Sequence, residues 1–296
     1  MIKNIAFIGL GNMGFPMAKR LCNAGFLVTT AVHHNAEKGR QLAVENAIVA
    51  DTIADAVRGA DLVITILPQD EQVREALLAP EVYQVIVEQP LTIIMEMTSC
   101  SPQTVQLVGT EYSEKGIRVF DAPVSGGTAG AANGSLTIFG SGDRELLNEL
   151  KPVLDVLATK VYHVGELGAG KALKAINQMM AAVNMVAVAE ALAVAEKEGI
   201  NPDVMYDVIK ESSGNSYVFD KKFKNTASGN FATGFRTALM RKDLGIALGL
   251  GEGLELPLAK LAYEYYLKAG AYDQLDYSAV AKLFVEKPNK KLDTPK

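Results

Sequence analysis

The chain has 296 residues, 49% of them hydrophobic and 21% charged, which is typical of a folded protein with room for two domains. Its formal net charge of −5 argues against binding to nucleic acid or to a membrane surface, and its two cysteines, Cys22 and Cys100, exclude a disulfide framework and a cysteine metal cluster. We therefore expect a reduced, cytoplasmic protein without a catalytic metal and without a secretory signal peptide.

The first predicted strand, Asn4–Ile8, leads into the segment Gly9-Leu10-Gly11-Asn12-Met13-Gly14 and then into a helix from Phe15. A strand, a Gly-x-Gly-x-x-Gly turn and a helix in that order indicate a dinucleotide-binding site. Gly9 allows the tight turn, Gly11 lets the backbone approach the pyrophosphate, and Gly14 lets the helix pack close to the strand. The helix N-terminus offers N–H groups to the phosphates. A purely structural glycine turn is the alternative.

Strand-length apolar runs and helical patterns alternate through the rest of the first half. The runs are Leu27–Val32, Leu62–Leu67, Leu91–Met97, Ile117–Phe120, Leu136–Phe139 and Val161–Val164. The helical patterns include Ala36–Glu45, Gln69–Leu78, Pro102–Lys115 and Arg144–Leu157. This alternation predicts a parallel, doubly wound sheet.

The segment Asp121–Gly127 follows one of these strands. Ligands bind outside the carboxyl ends of the strands in an open α/β sheet. Ser125, Gly126 and Gly127 could present a hydroxyl and successive N–H groups to a small anion such as a carboxylate. A glycine-rich surface turn is an equally good interpretation of the spacing alone.

The second half of the chain is predicted to be helical throughout. Residues 170–197 read as one long helix, and its apolar stretch 179–195, interrupted by Asn184 and Glu190, favours a buried helix over a membrane span. Further helical segments are 202–212, 216–226, 237–252, 256–269 and 276–286. The predicted domains are an α/β domain over 1–166, a connecting helix over 167–198, a helical domain over 199–286 and a loose tail over 287–296.

Polar side chains interrupt the long helix near its start. Lys174, Asn177 and Gln178 stand at i, i+3 and i+4 and so share one face. A lysine partly withdrawn from water beside a substrate could act as a general acid–base group, whereas a lysine that reaches solvent would be structural. Lys242-Asp243 is by default a surface charge pair, and a cofactor contact is its functional alternative. The three histidines match no metal-ligand spacing.

Taken together, these motifs resemble the β-hydroxyacid dehydrogenase family, which is related to 6-phosphogluconate dehydrogenase, over nearly the whole chain. The resemblance implies a Rossmann-type α/β domain, an all-α domain and a homodimer or homotetramer. It implies that Lys174 is the catalytic lysine and that a short β-hydroxy acid or its semialdehyde is the substrate. The substrate would contact Ser125, Gly126, Gly127, Asn177 and Gln178. The cofactor would contact Gly9, Leu10, Gly11, Asn12, Met13, Gly14, Leu67, Pro68, Thr98, Phe235 and Lys242.

The turn after the second strand departs from the commonest family patterns. It carries His33-His34-Asn35 and then Lys38, with no acid placed to bind a ribose 2′-hydroxyl. His34, Asn35 and Lys38 could hydrogen-bond a 2′-phosphate, so we expect NADP to be preferred over NAD. Two rival functions stay open: a non-catalytic dinucleotide sensor or scaffold, which would not need Lys174, and an imine reductase, which usually carries Asp or Tyr at that position.

Overall fold

The computed structural model describes residues 2–31, 36–232 and 234–285. It divides into two compact units, residues 1–174 and 175–296. The first unit contains a six-stranded, all-parallel sheet in the order β3-β2-β1-β4-β5-β6. Its strands are β1 (Asn4–Ile8), β2 (Leu27–Ala31), β3 (Ile48–Ala50), β4 (Leu62–Thr65), β5 (Ile93–Glu96) and β6 (Arg118–Asp121).

Helices connect these strands and cover both faces of the sheet. They are α1 (Gly14–Asn23), α2 (Ala36–Ala43), α3 (Ile53–Val57), α4 (Asp70–Leu78), α5 (Pro80–Val87) and α6 (Pro102–Ser113). Residues alternate along β1, β4 and β5 between two apolar cores: Ile5 and Phe7 of β1 enter one core, and Ala6 enters the other. This burial on both faces explains why the central strands are continuous apolar runs.

The first unit also contains a smaller, three-stranded sheet in the order β7-β8-β9. Its elements are β7 (Val124–Ser125), α7 (Gly127–Asn133), β8 (Leu136–Gly140), α8 (Arg144–Leu157) and β9 (Ala158–His163). Strand β7 pairs antiparallel with β8, and β8 pairs parallel with β9. The predicted strands 136–139 and 161–164 are therefore parallel to each other, but they form a separate sheet with β7 and do not extend the large parallel sheet.

The second unit is helical. Helix α9 (Ala169–Lys197) continues from the first unit and is followed by α10 (Pro202–Lys210), α11 (Tyr217–Ala227), α12 (Thr237–Leu250), α13 (Pro257–Lys268) and α14 (Lys282–Val285), with two 3₁₀ turns at Ala269–Tyr272 and Tyr277–Ala281. Asn201 caps α10 through a bond from Asp203 N to its Oδ1 (2.8 Å), so α10 begins at Pro202 as predicted. The predicted helical segment 276–286 consists, over its described residues, of the 3₁₀ turn Tyr277–Ala281 followed directly by α14.

The predicted fold class is confirmed: a Rossmann-like domain precedes a mostly helical one. By length and composition alone, α9 is long and apolar enough to cross a membrane. The core helix of a soluble protein passes the same test of length and composition, and 44% of the most apolar window of α9 is buried inside the protein.

Candidate active site

The glycine-rich turn lies where the strand order of the large sheet reverses, between β1 and β4. Gly9 has a φ of +110°, and a Cβ there would lie 2.2 Å from the carbonyl oxygen of Ile66, the residue after β4. A Cβ on Gly14 would lie 1.8 Å from the Gly9 oxygen. Both positions therefore require glycine if the turn is to sit against the β4 loop. Open α/β sheets bind their ligands at such a reversal point.

Gly11 differs from Gly9 and Gly14 in the space around it. A Cβ at Gly11 would meet no atom within 4 Å, and the residue is exposed. The protein itself therefore leaves room above Gly11, which is the position predicted to face the pyrophosphate. This open backbone at the start of α1 fits a dinucleotide.

The predicted nicotinamide contacts meet at the ends of β4 and β5. Leu67 N donates to Thr98 Oγ1 (2.9 Å), which joins the two loops directly. Thr98 is fully buried, whereas Pro68 is exposed.

The turn predicted to select the cofactor is described only in part. His34 and Asn35 lie outside the described residues. Lys38 lies on α2 with its Nζ 6.0 Å from the centre of the Phe15 ring, next to the glycine turn, and partial burial lowers the pKa of its ammonium. Glu37 lies beside it but accepts from Arg40 Nη2 (2.8 Å) and Gln41 Nε2 (3.1 Å) on its own helix.

The predicted anion-binding segment forms the corner between β7 and α7. Ser125 is half-buried and pairs with Thr137 of β8. Gly126 and Gly127 are exposed, and α7 begins at Gly127. The serine is thus part of a strand, not of a loose turn as the spacing alone allowed.

Lys174 lies in the second turn of α9 and is only 7% exposed. The structural alternative, a lysine reaching into solvent, therefore does not describe it. Its burial, on a helix whose start is anchored to the sheet, is compatible with the proton-transfer role predicted for it.

A buried group of three charges anchors that helix, and sequence reasoning missed it. We name Glu96, Asp121 and Lys171 the strand-end cluster. Glu96 and Asp121 end β5 and β6 and are paired in register, and all three side chains are completely buried. Lys171 Nζ lies 2.6 Å from Glu96 Oε2, 2.7 Å from Asp121 Oδ1 and 2.9 Å from the Glu96 carbonyl oxygen. Burial lowers the pKa of Lys171, but Asp121 and Glu96 together outweigh it and raise that pKa, so the ammonium is retained.

The signal for this cluster was Glu96 itself. A carboxylate within the predicted buried strand 91–97 needs a cation or several donors. The sequence does not show which cation, because Lys171 is 75 positions away.

In the second unit, Asp243 joins three of the predicted site residues. Gln178 Nε2 donates to Asp243 Oδ2 (3.1 Å), and Lys242 Nζ lies 2.9 Å from Asp243 Oδ1. Asn177 Nδ2 donates to Gln178 Oε1 (3.1 Å). Asp243 is 1% exposed, so the default interpretation of Lys242-Asp243 as a surface pair was wrong.

Asp243 sets the direction of the hydrogen bonds that run from Asn177 through Gln178. An ionised carboxylate only accepts hydrogen bonds, so the amide nitrogen of Gln178 must face it and the amide oxygen must face Asn177.

Phe235 is half-buried, and its backbone N–H donates to Asp276 Oδ2 (3.0 Å). Among the described residues, no group of three His, Cys, Asp or Glu side chains is placed to hold a metal ion.

Known families account for both halves of the chain. Residues 4–165 match the NAD binding domain of 6-phosphogluconate dehydrogenase, and residues 168–284 match the NAD-binding domain of NADP-dependent 3-hydroxyisobutyrate dehydrogenase.

Individual relatives match along almost their whole length. NAD-dependent L-serine dehydrogenase of Pseudomonas aeruginosa is 36% identical, with 96% of this chain and 98% of the relative covered. 2-(Hydroxymethyl)glutarate dehydrogenase of Eubacterium barkeri is also 36% identical, with 95% and 94% covered. The structure of Mycobacterium tuberculosis 3-hydroxyisobutyrate dehydrogenase with L-serine has a TM-score of 0.86 at 35% identity, covering 96% of this chain and 99% of that one.

Proposed function

The chain belongs to the β-hydroxyacid dehydrogenase family, and on that premise we propose that it interconverts a short β-hydroxy acid with its semialdehyde. Membership makes it an NAD(P)-dependent hydroxyacid dehydrogenase. The substrates named for its relatives, L-serine, 2-(hydroxymethyl)glutarate and 3-hydroxyisobutyrate, share a hydroxyl on the carbon β to a carboxylate. We infer that this chain acts on the same chemical unit.

The proposal assigns proton transfer to Lys174. The bound nicotinamide dinucleotide supplies or accepts the hydride, and the protein supplies orientation and proton transfer. In reduction, Lys174 Nζ gives its proton to the carbonyl oxygen of the substrate; in oxidation it accepts the hydroxyl proton. The burial of Lys174, 7% exposed, is the observation that carries this assignment.

Binding roles are proposed for the remaining residues. Ser125, Gly126 and Gly127 hold the substrate carboxylate through a hydroxyl and backbone N–H groups. Asn177 and Gln178 orient the substrate, and the hydrogen bonds from Asn177 to Gln178 and from Gln178 to Asp243 support this role by fixing both amides. Cofactor contacts are proposed for Gly9, Leu10, Gly11, Asn12, Met13, Gly14, Leu67, Pro68, Thr98, Phe235 and Lys242.

We propose that NADPH is preferred over NADH. Glu37 accepts hydrogen bonds from Arg40 and Gln41. In the sequence, no other carboxylate stands between the end of β2 and Glu37. Lys38 lies beside the first turn of α1, where a cation would attract a 2′-phosphate. His34, Asn35 and Lys38 are the proposed phosphate contacts.

We further propose a cytoplasmic homodimer or homotetramer with no nucleic-acid or membrane partner. Leu258 and Leu261, three positions apart on α13, are 68% and 47% exposed, and a second copy of the chain would cover such apolar side chains. Light scattering of the purified protein tests this assembly.

A substrate screen tests the activity. Purified enzyme is mixed with NADPH or NADH and a panel of semialdehyde acids, and oxidation of the cofactor is followed by its absorbance. We expect turnover of at least one three- to six-carbon semialdehyde acid. Cofactor binding without turnover of any member would favour the sensor, and turnover of cyclic imines instead would favour an imine reductase.

A further inference from the structure

The strand-end cluster has no role in the reaction proposed above, yet it lies one helical turn from Lys174. We propose that Lys171 is a positioning residue, which fixes the first turn of α9, and with it Lys174, against the loop that carries Thr98. This inference rests on the proposed function for its catalytic meaning.

The cluster first fixes the start of α9. Lys171 N donates to Asp121 Oδ2 (3.1 Å), and Gly170 N donates to Ser141 Oγ (2.9 Å), so two N–H groups of the first helical turn are bound. Ser141 Oγ in turn donates to Asp121 Oδ2 (2.7 Å). A Cβ on Gly170 would lie 2.3 Å from the Phe139 oxygen, which shows how closely the helix approaches the sheet.

The cluster also fixes the predicted nicotinamide loop. Glu96 Oε1 accepts from Thr98 N (2.9 Å) and from Thr65 Oγ1 (3.2 Å). Thr98 Oγ1 then accepts from Leu67 N. One continuous set of bonds therefore joins the helix that bears Lys174 to the two loops predicted to contact the cofactor.

Lysine suits this position because its ammonium has three donors and three acceptors surround it. Without it, two buried carboxylates would face each other at the ends of neighbouring strands. Residues three apart on a helix lie on one face, so a shift of Lys171 shifts Lys174 as well. A displacement of about 1 Å at a reacting group can lower a rate about 10²-fold.

A charge-matched pair of variants separates positioning from charge balance. Two carboxylates and one ammonium give the cluster a net charge of −1. Lys171→Met changes it to −2, and the double variant Lys171→Met/Glu96→Gln returns it to −1, while the introduced side-chain amide keeps an oxygen for Thr98 N. The matched control is Lys151→Met/Asp155→Asn, which removes an exposed ion pair of the same unit.

Each variant is measured by thermal unfolding, by hydrogen–deuterium exchange of the peptides covering 97–99 and 169–175, and by steady-state kinetics with C4-deuterated cofactor. We expect Lys171→Met to lower the melting temperature, and the double variant to recover much of it. In the double variant both peptides should exchange faster, and kcat should fall about tenfold or more with a larger isotope effect. The control should match the wild type.

Wild-type exchange in the double variant would overturn the proposal, and so would wild-type kcat, because Lys171 would then only balance charge. If wild-type enzyme turns over no semialdehyde, the proposed function fails instead. The exchange data still decide whether Lys171 holds the two segments together.

Discussion

Gly11→Ala should stabilise the protein and lower its affinity for NADPH. An added Cβ meets no protein atom within 4 Å, and Gly11 is not among the glycines with positive φ. Replacing glycine by alanine at such a position stabilises by about 0.4–1 kcal/mol, because the unfolded chain loses conformational freedom. For a unit the size of residues 1–174, this corresponds to a melting temperature about 1–4 °C higher without cofactor.

The same methyl group should hinder NADPH. If the pyrophosphate lies against the Gly11 backbone, the Cβ overpacks that contact at a cost of about 1–3 kcal/mol. The Kd of NADPH should therefore rise about 5- to 150-fold. Differential scanning fluorimetry of the free protein and a titration of NADPH fluorescence measure the two effects.

Two further glycine variants control the experiment. Gly249→Ala, in α12, also meets no atom within 4 Å and should stabilise without changing NADPH binding. Gly14→Ala places its Cβ 1.8 Å from the Gly9 oxygen and should lower the melting temperature. Wild-type affinity for NADPH in Gly11→Ala would refute the placement of the pyrophosphate at this turn.

Four other substitutions test the remaining assignments. Lys174→Ala should lower kcat by about 10²–10⁴ with NADPH binding unchanged, as steady-state rates and a binding titration would reveal, because only proton transfer is removed. Ser125→Ala should cost about 1–3 kcal/mol in kcat/KM for a semialdehyde acid and less for an uncharged aldehyde, which lacks the carboxylate. His34→Asp should reverse the NADPH preference, measured as the ratio of kcat/KM for the two cofactors, because an acid repels the 2′-phosphate. Asp243→Ala should lower the free energy of unfolding in urea by about 1–3 kcal/mol, because it removes the buried carboxylate that Lys242 and Gln178 contact.

Each of these expectations has a contrary outcome. Near wild-type turnover without Lys174 would remove its proton-transfer role. Equal losses for charged and uncharged aldehydes would exclude carboxylate binding by Ser125. An NADH preference in the wild type would show that the turn carrying His34 was misinterpreted, and unchanged urea unfolding would mean that Asp243 contributes nothing to stability.

The central fold could be predicted because its signals are long and regular. Strands β1, β4 and β5 are buried on both faces and read as apolar runs, and the helix predicted over 170–197 is α9, Ala169–Lys197. The short elements could not be predicted. Strand β7 has two residues, and α7 contains Gly127 and Gly130, which disfavour a helix. Tertiary contacts, not local preference, form these elements.

The candidate site was predictable only where a motif is contiguous. The glycine turn and the residues of α9 stand together in the sequence, so their grouping was visible. The partners of Glu96 and Gln178 were not, because Lys171 and Asp243 lie 75 and 65 positions away. A buried charge implies that a partner exists, and only the fold identifies that partner.

Lys171 and Lys174 show why residue type alone does not assign a chemical role. Both are buried lysines on the same face of α9. Lys171 Nζ donates to the Glu96 carbonyl oxygen and lies within 2.7 Å of one carboxylate oxygen of Glu96 and one of Asp121. Burial lowers its pKa, but the two carboxylates outweigh burial and raise it. An efficient general acid–base group needs a pKa near the working pH and a proton within reach of the substrate. Lys171 is completely buried between two carboxylates and its pKa is raised, so it does not meet the first condition and is suited instead to hold Lys174 in place.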